Sequence, residues 1–400
     1  MERITLTKER AEALIEKYGS PLYVYDEEIL RQRSREMLQV CDYKNFHPSY
    51  SIKANSNRDI IKIVKEEGLY VDAMSPGEII LELEAGYNPS QILFVSNNIS
   101  KEEMRFAIDK GVRISVDSVS QLDTYGQVNP GGKVCVRINS GIGAGHNKKV
   151  VTGGHCKFGV ELEQVEDVKK TAEKYNLTIN GINQHIGSLF LETEDYVESS
   201  RMLLETALEF KDLEFVDLGG GFGMPYKDEN RLDIQKMCKE LSAVVNDFVA
   251  KYPNKNIEIK SEPGRYVVAE CCQLLGTVTS EKTNYGEKYI GCDIGFNVLQ
   301  RPVMYDSYHN VVVYNDEKES EVVHLVGNIC ESGDILANAR NIKKMHVGDI
   351  IGIECAGAYG YSMASNYNSR PRPAEVLIAK DGSDRLIRKR DTLEEMLKQL

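Results

Sequence analysis

The sequence predicts an α/β protein, a (β/α)8 TIM-like barrel followed by a mostly β C-terminal domain. Between about residues 45 and 265, eight short β-type runs alternate with longer stretches of helical apolar spacing, close to the usual size of such barrels. After residue 266 the helical spacing gives way to successive strand-like runs with turn punctuation. Unusual polar residues gather at the C-terminal ends of the eight runs, the face that carries the active site in barrel enzymes. A doubly wound open sheet is the rival, because six or seven of the same runs would serve it.

The elements follow in order. The first forty residues are ambiguous. Their run PLYVYD suits either domain, and residues 1–25 are open to joining the β domain; the barrel is assigned to 26–265 and the β domain to 266–400. The eight barrel runs are PSYSIKA (48–54), YVDAMS (70–75), ILFVS (92–96), VRISVD (112–117), KVCVRIN (133–139), INGINQHIG (179–187), LEFVDLG (213–219) and IEIKSEPG (257–264). Stretches such as EIILELEAG, LEQVEDVKKTAEKY and LDIQKMCKELSAVVNDFVAKY between them have apolar residues at helical spacing. In the second domain CQLLGTVTSE, KYIGCDIG, NVVVYN, EVVHLVGNI, DIIGIECAG and AEVLIAKDGSDRLIRKR read as strands, the last with a turn at Asp381-Gly382. Only DTLEEMLKQL looks helical there.

Composition narrows the function. Hydrophobic residues at 42% and charged residues at 28% exclude a disordered or collagen-like chain. Lys plus Arg is 49 and Asp plus Glu is 61, a net charge of −12 at pH 7. So acidic a chain repels phosphate backbones unless it concentrates a basic patch, and no Lys/Arg block is long enough, so nucleic acid is not expected. No apolar run approaches the ~20 residues of a spanning helix, and MERITLTKER lacks the apolar stretch of a signal peptide. A membrane is therefore not an expected partner, and a cytoplasmic location is. The nine cysteines include no CxxC pair, and Cys271 and Cys272 are adjacent, which is not metal-ligand spacing. Reduced thiols, mostly in the core, are the expectation.

At the strand ends stand Lys53, Asp72, Arg137, His185, the glycines of DLGGGFG, Glu262 and Arg265. A lysine in an apolar run is costly unless paired or functional, and desolvation lowers its pKa toward that of an amine nucleophile; an edge-strand lysine in water is the commoner case. DLGGGFG offers close backbone approach and N–H groups suited to phosphate, or else a tight turn. It is not a dinucleotide fingerprint, since Met224 stands where a glycine is required. His185 alone suits a core imidazole, and Glu262 a strand-end carboxylate paired with Arg265. Together they supply an amine nucleophile, a flat ring for stacking, phosphate-binding glycines and a carboxylate for a heterocyclic nitrogen. These are the parts needed to use pyridoxal phosphate as an electron sink.

In the segments YSIKAN, HIGS, DLGGGFG, SEPGR, RPVMY, CESGD and GAYGYSMASNYNSRPRPAEV, in that order, the chain resembles the pyridoxal-phosphate decarboxylases with an alanine-racemase-like barrel, most of all the branch acting on diaminopimelate. The resemblance covers nearly the whole chain. It implies that Lys53 holds pyridoxal 5'-phosphate covalently, that His185 stacks on its ring, and that Ser188, Gly220 and Gly221 bind its phosphate. Glu262 would pair with the ring nitrogen inside the SEPGR segment, whose Pro263, Gly264 and Arg265 join the cofactor site. Asp72 would belong to the network around Lys53, with Arg137 beside it, and Tyr359 to the cofactor and substrate pocket. The CESGD loop implies a homodimer with shared active sites. There Cys330 would donate the proton after CO2 departs and Glu331 would bind a substrate ammonium, while Lys157 would pair with Asp334 across the interface. Without the resemblance Cys330 reads as a buried core thiol.

The implied reaction is decarboxylation of meso-2,6-diaminopimelate to L-lysine. Its distal carboxylate needs cations or strong donors, and the family pattern puts Arg265, Arg301 and Tyr305 there. The alternatives are decarboxylation of another basic or D-amino acid or a polyamine precursor, a racemase, or a non-catalytic binding relative. Three departures from the pattern stand out: Asn183 where a second His is common, Leu189 where Gln is frequent, and the stretch GIGAGHNKKVVTGGHC. His146, His155 and Cys156 in that stretch lack a full metal-ligand set, and a glycine-rich loop is the better reading.

Overall fold

The computed structural model describes residues 3–95, 97–145, 149 and 151–398. It divides into two compact units. One holds Arg33–Met224 and Asn230–Val267; the other comprises the described residues of Met1–Gln32, Pro225–Glu229 and Val268–Leu400.

The first unit is built on eight parallel strands: β1 (Phe46–Ser51), β2 (Tyr70–Ala73), β3 (Ile92–Val95), β4 (Arg113–Val116), β5 (Lys133–Asn139), β6 (Thr178–Asn183), β7 (Phe215–Asp217) and β8 (Glu258–Ser261). Each pairs with its sequence neighbours, and β8 pairs back onto β1 through Ile259 and Phe46. That last pairing closes the barrel and removes the open-sheet rival, whose strand order would reverse partway across. All eight strands coincide with runs marked in the sequence. The wall is tight where β6 passes β7: a Cβ on Gly181 would lie 2.3 Å from the Phe215 ring. Phe215 fills that space and packs with Leu93, Val95 and Cys135. Emptying it by Phe215→Ala would cost about 3–5 kcal/mol.

The connecting helices start where capping chemistry allows. Ser75 caps the helix Pro76–Glu84 by accepting the Glu78 N–H, with Pro76 in the first turn, where a missing N–H costs nothing. Ser100 and Glu103 cap Lys101–Lys110 reciprocally, and Gly111, left-handed at φ +71, ends it. Asp233 caps the long helix Ile234–Lys251.

The second unit is a mixed nine-stranded sheet. The strand Leu22–Asp26, the run PLYVYD, lies inside this sheet, antiparallel to Cys272–Asn284 and parallel to Ala374–Ile378. The turn at Asp381-Gly382 joins Ala374–Ile378 to Asp384–Arg388. One strand, Ile335–Lys343, is absent from the sequence reading; it pairs with Ser320–Val326. Its ILANARNIK mixes polar and apolar residues without clean alternation, so the backbone pairing decides it. Among the described residues no helix is long and apolar enough to cross a membrane.

Candidate active site

The C-terminal ends of the barrel strands converge on one mouth. β1 ends at Ser51, and Lys53 follows in a single 3-10 turn, Ile52–Ala54, just past the strand. The Ser51 N–H donates to the Pro263 carbonyl at 3.0 Å, tying the end of β1 to the SEPGR segment. Ser51 Oγ donates to Asp72 Oδ2 at 3.0 Å, at the end of β2. Burial pushes the Asp72 carboxyl up, and the Lys53 ammonium is foremost among the groups that pull it back.

Glu262 directly follows β8 and is 3% exposed. Burial first, then the neighbouring Asp217 and Asp72, push its carboxyl well above the ordinary range, against the pull of Lys53 and Arg137. Its Oε2 is 3.9 Å from His185 Nδ1, and its Oε1 is buried with no hydrogen-bond partner. It does not pair with Arg265, whose guanidinium instead donates to Ser188 Oγ at 2.9 and 3.3 Å. His185 Nδ1 accepts the Gly220 N–H at 3.1 Å. Burial, Lys53 and Arg137 hold this imidazole well below its usual pKa. Because Nδ1 accepts the Gly220 N–H, the ring proton sits on Nε2.

The glycine run forms a backbone cradle. A Cβ on Gly220 would lie 1.9 Å from the Glu262 carbonyl oxygen; at Gly221, where φ is +112, it would lie 2.6 Å from that of Gly187. Only glycine fits either place. Gly219 is held on both sides: its N–H donates to Asp217 Oδ1 at 2.9 Å, and its carbonyl accepts the Glu262 N–H and the Tyr196 hydroxyl. Arg137, late in β5, lies over the Phe158 ring at 4.6 Å, and its Nη2 is buried without a hydrogen-bond partner. Unpartnered buried polar atoms cost about 1–3 kcal/mol each. Glu262 Oε1, Asp72 Oδ1 and Arg137 Nη2 all belong to this one cluster. The arrangement fits a flat heteroaromatic ring with an anionic tail, since a carboxyl holding a proton can share it with a basic nitrogen and the Ser188, Arg265 and glycine groups suit an anion.

Described residues of the glycine-rich stretch 141–156 are tied down at this mouth. Asn139 accepts the N–H groups of Gly141 and Gly154 and donates to the carbonyls of Gly154 and Phe158. Ala144 and Thr152 both donate their N–H to Ile186 O beside His185. His146 lies outside the described residues. Among the described residues no group of three His, Cys, Asp or Glu is placed to hold a metal. Asn183, in place of a second histidine, is fully buried and accepts from Ser115 Oγ at 2.7 Å.

Lys157 lies in the first unit, its ammonium over the Phe158 ring at 4.9 Å; the remaining predicted residues lie in the second unit. Arg301 is 1% exposed; it donates to Ser307 Oγ at 3.1 Å and faces the rings of Tyr226 and Tyr305. Tyr359 takes a left-handed φ of +56 in GAYG, a conformation that is strained for a bulky side chain. Cys330 is exposed, unlike the core thiol its isolation in sequence suggested. The loop it sits on is nonetheless built. Cys330 N–H donates to Asn368 Oδ1 at 3.0 Å and the Tyr367 hydroxyl donates to Glu331 at 2.5 Å, so SNYNSRPR and CESGD meet. Asp334, expected to reach Lys157, has both oxygens occupied inside its own unit, by the N–H groups of Phe296 and Ile329 at 2.7 and 2.8 Å. Asp334→Ala would strand two buried donors and should cost about 3 kcal/mol or more, since hydrogen bonds to charged groups are worth roughly 1.5–3 each. Thermal unfolding of the full chain measures this; an unchanged midpoint would show that the loop holds itself without Asp334.

Sequence reasoning missed Ser51, Asp117, Asp217 and Lys260. Asp117 is close enough to Arg137 for that cation to oppose the upward push of burial on its carboxyl. Lys260 offered the same signal as Lys53, a lysine inside an apolar run, two residues before Glu262.

The pyridoxal-binding domain of pyridoxal-dependent decarboxylases matches residues 27–269. The chain is 40% identical to the diaminopimelate decarboxylase of Methanothermobacter thermautotrophicus, over 96% of this chain and 92% of the relative. It is 34% identical to that of Escherichia coli K12, over 98% and 96%. Its fold is similar to the crystal structure of Helicobacter pylori diaminopimelate decarboxylase complexed with L-lysine, with a TM-score of 0.89, 30% identity, and coverage of 97% of this chain and 98% of that one.

Proposed function

Because the chain belongs to the pyridoxal-dependent decarboxylase family, we propose that it decarboxylates meso-2,6-diaminopimelate to L-lysine and CO2, a step of lysine biosynthesis. The observation that carries the reading is Glu262: a buried carboxyl with an unpartnered oxygen, set beside His185 and a glycine cradle. The substrate follows from the full-length relatives, which are named diaminopimelate decarboxylases.

Lys53 would hold pyridoxal phosphate through its amine. His185 would lie against the cofactor's ring, Ser188, Gly220, Gly221 and Arg265 would hold its phosphate, and Glu262 would pair with its ring nitrogen. Asp72 keeps the Lys53 amine oriented, and Pro263 and Gly264 complete the cradle. When bound, the cofactor supplies a sink for the electron pair released with CO2. Cys330 would supply the proton that takes the place of the departing carboxyl group. Arg265, Arg301 and Tyr305 hold the distal carboxylate, Glu331 the distal ammonium, and Tyr359 lines the pocket. The enzyme acts as a homodimer in which the Cys330 loop of one subunit serves the barrel of the other; the exposure of Cys330 on an ordered loop supports this. Free cysteines throughout suit a cytoplasmic location.

The test is incubation with diaminopimelate, lysine, ornithine and their D-isomers while CO2 and amine products are measured. Preference for lysine or ornithine would sink the substrate assignment. Arg301→Met keeps the reach of the side chain but removes its charge and fork of donors. Catalytic efficiency on diaminopimelate should fall about tenfold to a hundredfold or more, the scale of one charge-assisted hydrogen bond, while cofactor absorbance is unchanged. Normal processing by this variant would remove Arg301 from the distal site.

A further inference from the structure

Below the cradle the barrel interior contains charges that the reaction does not use. Lys260 on β8 is 1% exposed. Glu258, two residues earlier and so on the same face of the strand, is 3.4 Å away through Oε1, and its Oε2 binds Arg113 at 2.6 Å. One carboxylate is thus shared by the buried Lys260 and the partly exposed Arg113, which leaves the buried Lys260 charge only partly balanced. The compensating group is on the next strand. Asp217 is the register partner of Lys260 across the β7–β8 pair, so both side chains leave the sheet on the same face, and Asp217 is fully buried. Burial pushes the Asp217 carboxyl up to about 7, with Asp72 and Glu258 adding to that, and Lys260 is foremost among the groups that pull it back toward the ionised form. When both are ionised, the cations Arg113 and Lys260 balance the carboxylates Glu258 and Asp217. His47 and Tyr70, stacked on each other, also face this set: burial chiefly holds the His47 imidazole below its usual pKa and raises the Tyr70 phenol, whose ring lies 4.7 Å from the Lys260 ammonium.

Asp217 uses only one oxygen in a hydrogen bond. Oδ1 accepts the Gly219 N–H, and Oδ2 is buried with no hydrogen-bond partner. An ordinary core polar group would have both satisfied; Lys260 acts on Asp217 through charge. Gly219 in turn fixes the residues above it. Its carbonyl binds the Glu262 N–H at 2.8 Å, and Gly220, next in sequence, donates to His185 Nδ1. Gly219 has a left-handed φ of +78, and a Cβ there would lie 2.2 Å from Gln184 O, so the turn has one narrow conformation to be held in.

We propose that Lys260 and Asp217 are a buried positioning pair: Lys260 keeps Asp217 an acceptor for the Gly219 N–H, and this anchors the cradle that holds the cofactor's phosphate and orients His185 and Glu262. The proposal rests on the cofactor reading above. Removing either partner leaves an uncompensated charge in the interior; removing both restores neutrality, and an asparagine at 217 still offers Oδ1 to Gly219.

The experiment is a double-mutant cycle on the full-length protein, stripped of cofactor and titrated with pyridoxal phosphate by absorbance and intrinsic tyrosine fluorescence. Lys260→Met and Asp217→Asn should each weaken binding by at least about tenfold, equivalent to about 1.4 kcal/mol. The Lys260→Met/Asp217→Asn protein should recover most of that loss. A merely space-filling lysine predicts no recovery, because the double variant would add the two losses. A double variant that binds no better than Lys260→Met overturns the pair, as does one that does not fold. A Lys260→Met protein that fails to fold while the double variant folds and binds supports it. Wild-type protein that binds no pyridoxal phosphate would overturn the cofactor reading itself, whereas wild-type binding without coupling overturns only this proposal.

Discussion

Lys53→Ala should lose its visible cofactor absorbance and nearly all turnover, by roughly 10⁴-fold or more, the scale on which an enzyme loses rate with its covalent group. The structure supplies the reasons. Lys53 stands one residue past Ile52 at the close of β1, near enough to Asp72, Glu262 and His185 to shift all three. Its amine is therefore held among carboxyls, where its proton can be passed on. Borohydride treatment of wild-type protein should fix the cofactor on Lys53, and peptide mapping identifies the site. The informative competitor is Lys260, the other lysine of the barrel interior. Its ammonium is committed to Glu258 and buried below the cradle, so it should carry no label. Label on Lys260 would overturn the assignment of Lys53.

Cys330→Ala should be inactive as a homodimer yet regain activity when mixed with Lys53→Ala. A proton donor must act where water is excluded, but Cys330 is exposed on its own chain. The loop that carries this exposed thiol is braced by Asn368, Tyr367 and Asp334. If a partner barrel covers it, each hybrid dimer has one site with both lesions and one with neither. Random exchange makes half the dimers hybrids, so recovery should reach about a quarter of the wild-type rate in a two-fold symmetric assembly. Subunit exchange is followed with differently tagged chains. Exchange without recovery would show that each barrel uses its own Cys330.

How much of this was legible in the sequence depended on range. Eight short apolar runs separated by helical spacing were enough for the barrel, because a strand that is buried on both faces and a helix with one apolar face leave different local periods. The motifs also carried their own order, so Lys53, His185, Glu262 and the glycines could be set at one end before any contact was known. Where local pattern was weak, the sequence was silent. Ile335–Lys343 is a strand because Ser320–Val326 pairs with it, and nothing in ILANARNIK says so. The first strand, PLYVYD, suited two domains until its partners Cys272–Asn284 and Ala374–Ile378 placed it in the β sheet. The atoms of the site needed the tertiary structure too. Glu262 and Arg265 sit three residues apart and invite pairing, but the turn between them sends the guanidinium to Ser188 and leaves the carboxyl buried beside His185. The tautomer of His185 is set by one N–H, that of Gly220, which is 35 residues away in sequence. Residue types and their order are properties of the chain. Which charge faces which, how dry each is, and hence which groups hold protons are fixed only when β1 closes on β8 and the distances exist.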